Sequence, residues 1–457
     1  MDAWYKDGGF AITAWKPRML PYLLNAVYLA LLVVASPWLA WNAWQKGKYR
    51  EGYAAKFWGE VPRRDSNKSC VWLHAVSVGE VNLLAPLVKE IRARHPDWDC
   101  VISTTTHTGF ALARKKYAEY PVFYCPLDFS WAVRRAMRRL RPTLLVLAEL
   151  ELWPNLIRAA REHGAKVAIV NGRLSAHSFR GYARVKAFVR PVLAQLDLIA
   201  VQNKEYGDRF LALGAPAERM HITGSVKYDG AQTNRHNPGT QKLASLAGIG
   251  EGDLVWLAGS TQEPEEAIVL SVFQRLTAEF PRLKLILVPR HPDRFDDVAR
   301  LITDSGLRWR RRSQLHPKCE NGSARVLLVD AVGELGHWWG TAQVAFVGGS
   351  LGKRGGQNMI EPAAYGAAVC FGPNTRNFRD IVENLLAAQA AVVVQDAAEL
   401  EAFVRRAITD AEFATRLGTS ARRFVAGQLG ATARTVDLLS ALVPNAVQPA
   451  AVARSAA

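Results

Sequence analysis

The stretch Val71-Trp72-Leu73-His74-Ala75-Val76-Ser77-Val78-Gly79-Glu80 decides the fold. Val71 to Leu73 and Ala75 to Val76 form the apolar, β-branched run of a strand covered on both faces, and from Leu83 the apolar residues recur at helical spacing. Glu80 therefore falls where a strand becomes a helix. In open α/β sheets the carboxyl end of a strand is where ligands bind. A glutamate in the first turn of a helix also meets the helix dipole favourably, so the stretch alone leaves both roles open.

The same pattern repeats outward from this point. Strands are predicted at Cys70 to Ala75, Cys100 to Thr104, Val122 to Tyr124, Leu144 to Ala148, Val167 to Asn171, Leu198 to Gln202 and His221 to Thr223. Helices are predicted between them, among them Leu83 to Arg94 and Leu156 to His163, the latter closing at Gly164. The polar segment Asp229 to Thr240 reads as a linker. A second series has strands at Leu254 to Ala258, Leu283 to Val288, Arg325 to Val329, Val344 to Val347, Ala368 to Phe371 and Ala391 to Val394. Such alternation predicts an α/β protein of two doubly wound parallel sheets, with a cleft between the two halves. A helical region from Leu400 to Leu442 follows, and the Ala-rich tail from Asn445 is expected to be disordered.

The division expected is an anchor with a basic flank at 1–50, a first Rossmann-like domain at 51–235, a second at 236–425, and a terminal helix and tail at 426–457. The anchor rests on Met19 to Gln45, which holds no charged residue; roughly 20 apolar residues suffice to cross a bilayer. Trp38, Trp41 and Trp44 then recur every third residue, and Lys46, Lys48 and Arg50 follow. An apolar run, an aromatic belt and a basic flank are what a membrane interface selects, with the basic side cytoplasmic. Pro37 also permits a helix that lies on the surface. A cleaved signal peptide would have a shorter apolar region ending in small residues.

The chain of 457 residues carries a net charge of +17, which calls for an acidic partner such as nucleic acid, an anionic membrane face or a phosphorylated substrate. No stacking-aromatic or zinc module supports nucleic acid. Arginines cluster at Arg134, Arg135, Arg138, Arg139 and Arg141, and again at Arg308, Arg310, Arg311 and Arg312. They suit a solvated basic face or anionic lipid headgroups. The five cysteines, Cys70, Cys100, Cys125, Cys319 and Cys370, are scattered and form neither a zinc motif nor a disulfide framework.

Several loops at the carboxyl ends of the predicted strands carry residues suited to a nucleotide and a transferred group. Pro289 and Arg290 follow one strand, Gly333, Glu334 and Leu335 another, and Gly259-Ser260-Thr261 a third. Gly348 to Gly356 is glycine-rich with two cations, Lys353 and Arg354, and leads into Gln357-Asn358-Met359-Ile360-Glu361-Pro362. A helix start there offers backbone donors to a phosphate, and Glu361 a carboxylate to ribose hydroxyls. A P-loop is disfavoured, because Val347 stands where its first glycine belongs and Arg354 where a Ser or Thr would hold magnesium. In the first half, Glu149 and Glu151 end one strand, and Lys227 lies near the domain junction. Asp97-Trp98-Asp99 falls at the amino end of its strand and reads as a surface turn rather than a metal triplet.

Taken together these segments resemble the 3-deoxy-D-manno-octulosonic acid (Kdo) transferases of lipopolysaccharide synthesis. The resemblance rests on LHAVSVGE at 73–80, STTTHTG at 103–109, ELELWPNLI at 149–157, NGRLSAHSFRGY at 171–182, TGSVKYD at 223–229, AGSTQEPEE at 258–266, LILVPRHPDRF at 285–295 and VGGSLGKRGGQNMIEPAA at 347–364. It implies a GT-B fold, CMP-Kdo bound by the second domain, and an inverting transfer to a lipid A precursor at the inner membrane without a metal or other cofactor. It also implies that Glu80 is the general base and that Glu149 and Lys227 stabilise the transition state. Pro289, Arg290, Gly333, Glu334, Leu335, Asn358, Met359, Ile360 and Glu361 would then contact CMP. The chain departs from the family in having Gln357, Met359 and Ile360 where His, Pro and Leu are usual, while Asn358 and Glu361 persist. Two other classes remain open: another GT-B enzyme acting on a UDP-sugar, as transferase or epimerase, and a membrane-tethered module that binds anionic lipid without catalysis.

Overall fold

The computed structural model of the chain describes residues 19–46, 51–316 and 324–443. The expectations for Lys48, Arg50, Cys319 and the tail from Asn445 lie outside these residues. The chain divides into two compact units, one of residues 1–229 with 430–457 and one of residues 230–429.

The first unit is built on seven strands: β1 Cys70–His74, β2 Asp99–Thr104, β3 Val122–Tyr124, β4 Leu144–Ala148, β5 Lys166–Gly172, β6 Leu198–Val201 and β7 Met220–Ile222. They pair in parallel in the order β3-β2-β1-β4-β5-β6-β7. All five residues of β1 are fully buried, as a strand covered by helices on both faces requires. The helix after it, Val78–Arg94, turns Val81, Leu84, Leu87, Val88 and Ile91 into the core at helical intervals. Truncating one such side chain to Ala costs about 2–5 kcal/mol, so the start of this helix is firmly placed. The strand order reverses direction between β1 and β4, which makes the loops after these two strands the natural ligand edge.

The last helix, Ala431–Leu442, returns to this first unit and packs on the Val78–Arg94 helix. Asp229 accepts hydrogen bonds from the amides of Gly430 and Thr432, and Arg434 Nε donates to Thr223 O at 2.9 Å. Val436 and Leu439 are fully buried.

One helix, Leu20–Lys46, contains a stretch, Leu20–Trp38, long and apolar enough to cross a membrane. Only 11% of that stretch is buried, unlike a core helix. Two polar side chains tie it to the first unit. Asn25 and Ser130 exchange hydrogen bonds, at 2.8 Å to the serine hydroxyl and 3.0 Å from its amide, and Tyr28 OH donates to Asp128 Oδ2 at 3.1 Å.

The second unit has β8 Leu254–Thr261, β9 Leu283–Pro289, β10 Trp309–Arg311, β11 Val326–Leu328, β12 Val344–Val347, β13 Ala368–Phe371 and β14 Val392–Val393. Their parallel order is β10-β11-β9-β8-β12-β13-β14, with the reversal between β8 and β12. β10 is an edge strand within what the sequence showed as a basic cluster. Its arginine Arg311 pairs with Asp296 at 2.7 Å, and the adjacent Arg312 with Glu334 at 2.8 Å. In the other cluster Arg134 pairs with Glu162 at 3.3 Å and Arg135 with Glu60 at 2.8 Å, while Arg139 donates to the carbonyl of Val61 at 2.5 Å. These five clustered arginines are thus held in contacts within the chain.

Candidate active site

The reversal of strand order in the first unit brings the loop after β1 and the loop after β4 side by side. Glu80 sits in the first turn of its helix, in a reciprocal cap. Its amide donates to Ser77 Oγ at 3.4 Å, while its carboxylate accepts from the Val76 amide at 2.9 Å and the Ser77 hydroxyl at 2.8 Å. Both roles left open by the sequence are therefore compatible: the carboxylate caps the helix and keeps lone pairs for a further proton. Burial raises its pKa above the ordinary glutamate value, the bonds from Val76 and Ser77 oppose this, and the charge of Glu149 adds to it.

Glu149 and Glu151 do not cap the following helix, Pro154–Glu162. Glu149 pairs with Lys227, Nζ to Oε1 at 3.1 Å, and Glu151 accepts from Trp153 Nε1 at 2.8 Å. The Glu151 carboxyl is pushed up to about 7, first by burial, then by the charge of Glu80. The edge thus gathers three carboxylates and one ammonium, with the charge of Glu149 acting on Glu80 and pairing with Lys227.

Two residues that the sequence did not mark hold this edge in shape. Asp128 caps the Pro154–Glu162 helix, accepting from the Asn155 amide at 3.0 Å and the Leu156 amide at 2.7 Å. Asn171, at the end of β5 with φ 53°, accepts from the Val226 amide at 3.1 Å through Oδ1 and so positions the turn that carries Lys227. In the sequence Asn171 showed only as the end of a predicted strand and the start of the NGRLSAHSFRGY segment; an asparagine tolerates this left-handed conformation better than most residues. His74, fully buried, meets Ser103 Oγ at 2.9 Å and has its pKa lowered to about 4 by burial, so its ring is neutral.

In the second unit Pro289 is buried and Arg290 exposed just beyond β9, with the Arg290 amide donating to Thr261 O at 3.0 Å. Asn358 orients Glu361. Its Nδ2 donates to Glu361 Oε1 at 3.1 Å while its Oδ1 accepts from the Ile360 amide at 3.1 Å. Burial raises the Glu361 pKa; Asn358, Arg290 and Trp339 oppose the rise. Gly336, which directly follows the Gly333 to Leu335 segment, adjoins Glu361: a Cβ there would stand 3.9 Å from Glu361 Oε2. The Glu334 carboxylate is already engaged, taking both arms of Arg312 at 2.8 Å and Trp338 Nε1 at 3.2 Å. Met359 and Ile360 are buried, so their side chains serve packing. Of the residues expected to contact CMP, Arg290 is exposed and Glu334, Asn358 and Glu361 are half-buried, with Glu334 already bound by Arg312.

The first half of the glycine-rich loop is closed to a phosphate, in keeping with a sequence that disfavours a P-loop. Glu265, 1% exposed, accepts from the amides of Gly349 at 2.6 Å, Ser350 at 2.8 Å and Leu351 at 2.9 Å, and from Gln262 at 3.0 Å. An internal carboxylate occupies the donors that a phosphate would need. The helix at Ile360–Ala364 is five residues long and offers little dipole. Among the described residues no three His, Cys, Asp or Glu side chains converge as a metal site, and Asp99 pairs with Arg64 at 2.8 Å.

Comparison with known proteins shows the family. The family model described as 3-Deoxy-D-manno-octulosonic-acid transferase (kdotransferase) matches residues 50–230. The 3-deoxy-D-manno-octulosonic acid transferase of Haemophilus influenzae is 35% identical over 422 residues, covering 90% of this chain and 94% of that protein. The enzyme of the same name from Bordetella pertussis is 35% identical over 385 residues, 81% of this chain and 86% of that one. Among solved structures, a glycosyltransferase from Rickettsia africae aligns with a TM-score of 0.51 at 12% identity, over 83% of this chain and 100% of that one, a likeness of fold alone that fits the two Rossmann-like units of a GT-B enzyme. With those relatives matched nearly end to end, the chain belongs to the 3-deoxy-D-manno-octulosonic acid transferase family.

Proposed function

We propose that the protein transfers Kdo from CMP-Kdo to a sugar hydroxyl of a lipid A precursor, with inversion and without a metal. The observation that carries this reading is the carboxylate of Glu80, held by two hydrogen bonds at the ligand edge of the first unit with its pKa raised. An acceptor hydroxyl is a weak acid and needs a base within hydrogen-bond reach as it attacks. Glu80 takes that proton while the hydroxyl oxygen bonds to the anomeric carbon of the donor. The bond from that carbon to the phosphate oxygen breaks on the opposite face, and CMP leaves with the electron pair. Arg290 offers a planar fork to the negative charge, and Asn358 and Glu361 bind the nucleoside. Lys227, paired with Glu149, stabilises charge that develops during attack.

The Leu20–Lys46 helix and the net positive charge support attachment to an anionic membrane. The basic residues that follow it support inner-membrane placement with both units in the cytoplasm, where the nucleotide-activated donor would be met. The test is incubation of the purified protein with CMP-Kdo and a tetraacylated lipid A precursor, followed by mass spectrometry. The lipid is expected to gain Kdo with release of CMP, in the presence of a chelator and with no product from UDP-sugars. An unmodified lipid with CMP-Kdo, or a product with a UDP-sugar, contradicts the reading.

A further inference from the structure

The second half of the glycine-rich loop is not engaged by Glu265. Beyond Leu351 the chain runs out through Lys353 and Arg354 and is laced to the segment after β13. The amides of Asn374 and Asn377 donate to Ser350 O and Gly355 O, both at 2.9 Å, and the side chain of Asn377 donates to Arg354 O at 3.0 Å. These bonds fix one frame on which Lys353, Arg376 and Arg379 line a single groove of about 360 Å³ with Gly355, Pro373, Asn374 and Thr375. The lining holds three cations and no carboxylate.

Gly355, at φ +99°, makes the groove possible. A Cβ there would stand 2.6 Å from Arg376 Cγ, so the stem of the arginine lies directly on bare backbone. The 3-10 turn Arg376–Phe378 and the helix Arg379–Ala387 both begin at the groove without a side-chain cap. Three like charges on one rigid frame repel each other, and an oxyanion relieves that repulsion through charge-assisted hydrogen bonds. The groove also adjoins the nucleotide segment: a Cβ on Gly356 would lie 3.2 Å from Met359 Cε, next to Asn358.

We infer that this groove is a second oxyanion subsite, separate from the nucleotide contacts, which takes a carboxylate or phosphate carried by a substrate. The inference rests on the Kdo-transfer reading for the identity of that substrate. Two oxyanions are available: the carboxylate of the transferred sugar acid and a phosphate on the lipid acceptor.

The experiment replaces Lys353, Arg376 and Arg379 with Ala together, in the full-length protein, and measures KM for each substrate, the inhibition constant of CMP and the melting temperature. All three residues are exposed, so folding is expected to be unchanged. At least a tenfold rise in donor KM assigns the sugar carboxylate. A similar rise in acceptor KM that disappears with a dephosphorylated acceptor assigns the phosphate. In both cases the CMP constant stays within about twofold and 10 mM orthophosphate stabilises the wild type but not the triple variant. Unchanged KM for both substrates, or a CMP constant that rises in step with KM, overturns the inference. If the wild type fails to turn over CMP-Kdo, it is the Kdo reading that falls. The groove is then judged on orthophosphate alone, and equal stabilisation of the two proteins, or of neither, rejects it.

Discussion

Lys227 Nζ lies 3.1 Å from Glu149 Oε1, a pair formed between segments 78 residues apart. Glu149 adopts φ 54°, a left-handed conformation that a glutamate occupies at a cost of about 1–3 kcal/mol. Such strain persists where surrounding structure holds it; here the Glu149 amide is fixed by the Val170 carbonyl at 3.0 Å. The pair is partly open to solvent and contributes only about 0–1 kcal/mol to stability. Its function is therefore separable from its fold.

Lys227→Ala is accordingly expected to lower kcat by about 100- to 1,000-fold, the usual loss when a charge-stabilising donor is removed. Urea unfolding should shift by less than about 1 kcal/mol. A large stability loss with normal kcat would show the pair to be structural.

The pH dependence of stability follows from Glu151. Its folded pKa, about 7, lies above the ordinary value of 4.5, so the folded protein holds this proton more tightly than the unfolded chain. The contribution is fully present below about 4.5 and is lost as pH rises through about 7. Glu151→Gln removes the titration. Its melting temperature should match the wild type near pH 4 and exceed it near pH 8; a difference independent of pH would contradict the shift.

Arg290→Ala should raise the KM for the donor about 10- to 100-fold, the equivalent of losing one charge-assisted hydrogen bond. CMP inhibition should weaken in parallel and acceptor KM should stay unchanged. Equal effects on donor and acceptor would place Arg290 elsewhere in the mechanism.

Glu265→Ala leaves four amide donors without their acceptor, three of them in the glycine-rich loop. Each unsatisfied buried donor costs about 1–3 kcal/mol. The variant should lose at least about 3 kcal/mol in urea unfolding, and hydrogen exchange at Gly349 to Leu351 should rise. Unchanged protection there would mean that Glu265 does not hold the loop.

The fold was largely legible because parallel strands buried on both faces leave continuous apolar runs, as at Leu144 to Ala148 and Val344 to Val347, both placed to the residue. β10 escaped because an edge strand of one Trp and two Arg has the composition of a solvated cluster. The return of Ala431–Leu442 to the first unit escaped as well, since it depends on Asp229, about 200 positions away in sequence. Glu80, Glu149 and Lys227 stood out by their place at strand ends and the domain junction, with their roles implied by the family resemblance, whereas Asp128 and Asn171 act through backbone amides that no motif displays. Glu265 stood in the quoted AGSTQEPEE segment, but its acceptor role exists only once β8 and β12 pair.

The central claim is that Glu80 removes the acceptor proton. The most direct measurement is single-turnover transfer from CMP-Kdo to the lipid acceptor by wild type and Glu80→Gln, with donor binding followed in parallel. The account predicts that the variant binds CMP-Kdo with nearly unchanged affinity and transfers Kdo at least about 100-fold more slowly, with the wild-type rate falling at low pH as Glu80 takes up a proton. Normal turnover by Glu80→Gln would remove Glu80 from the mechanism.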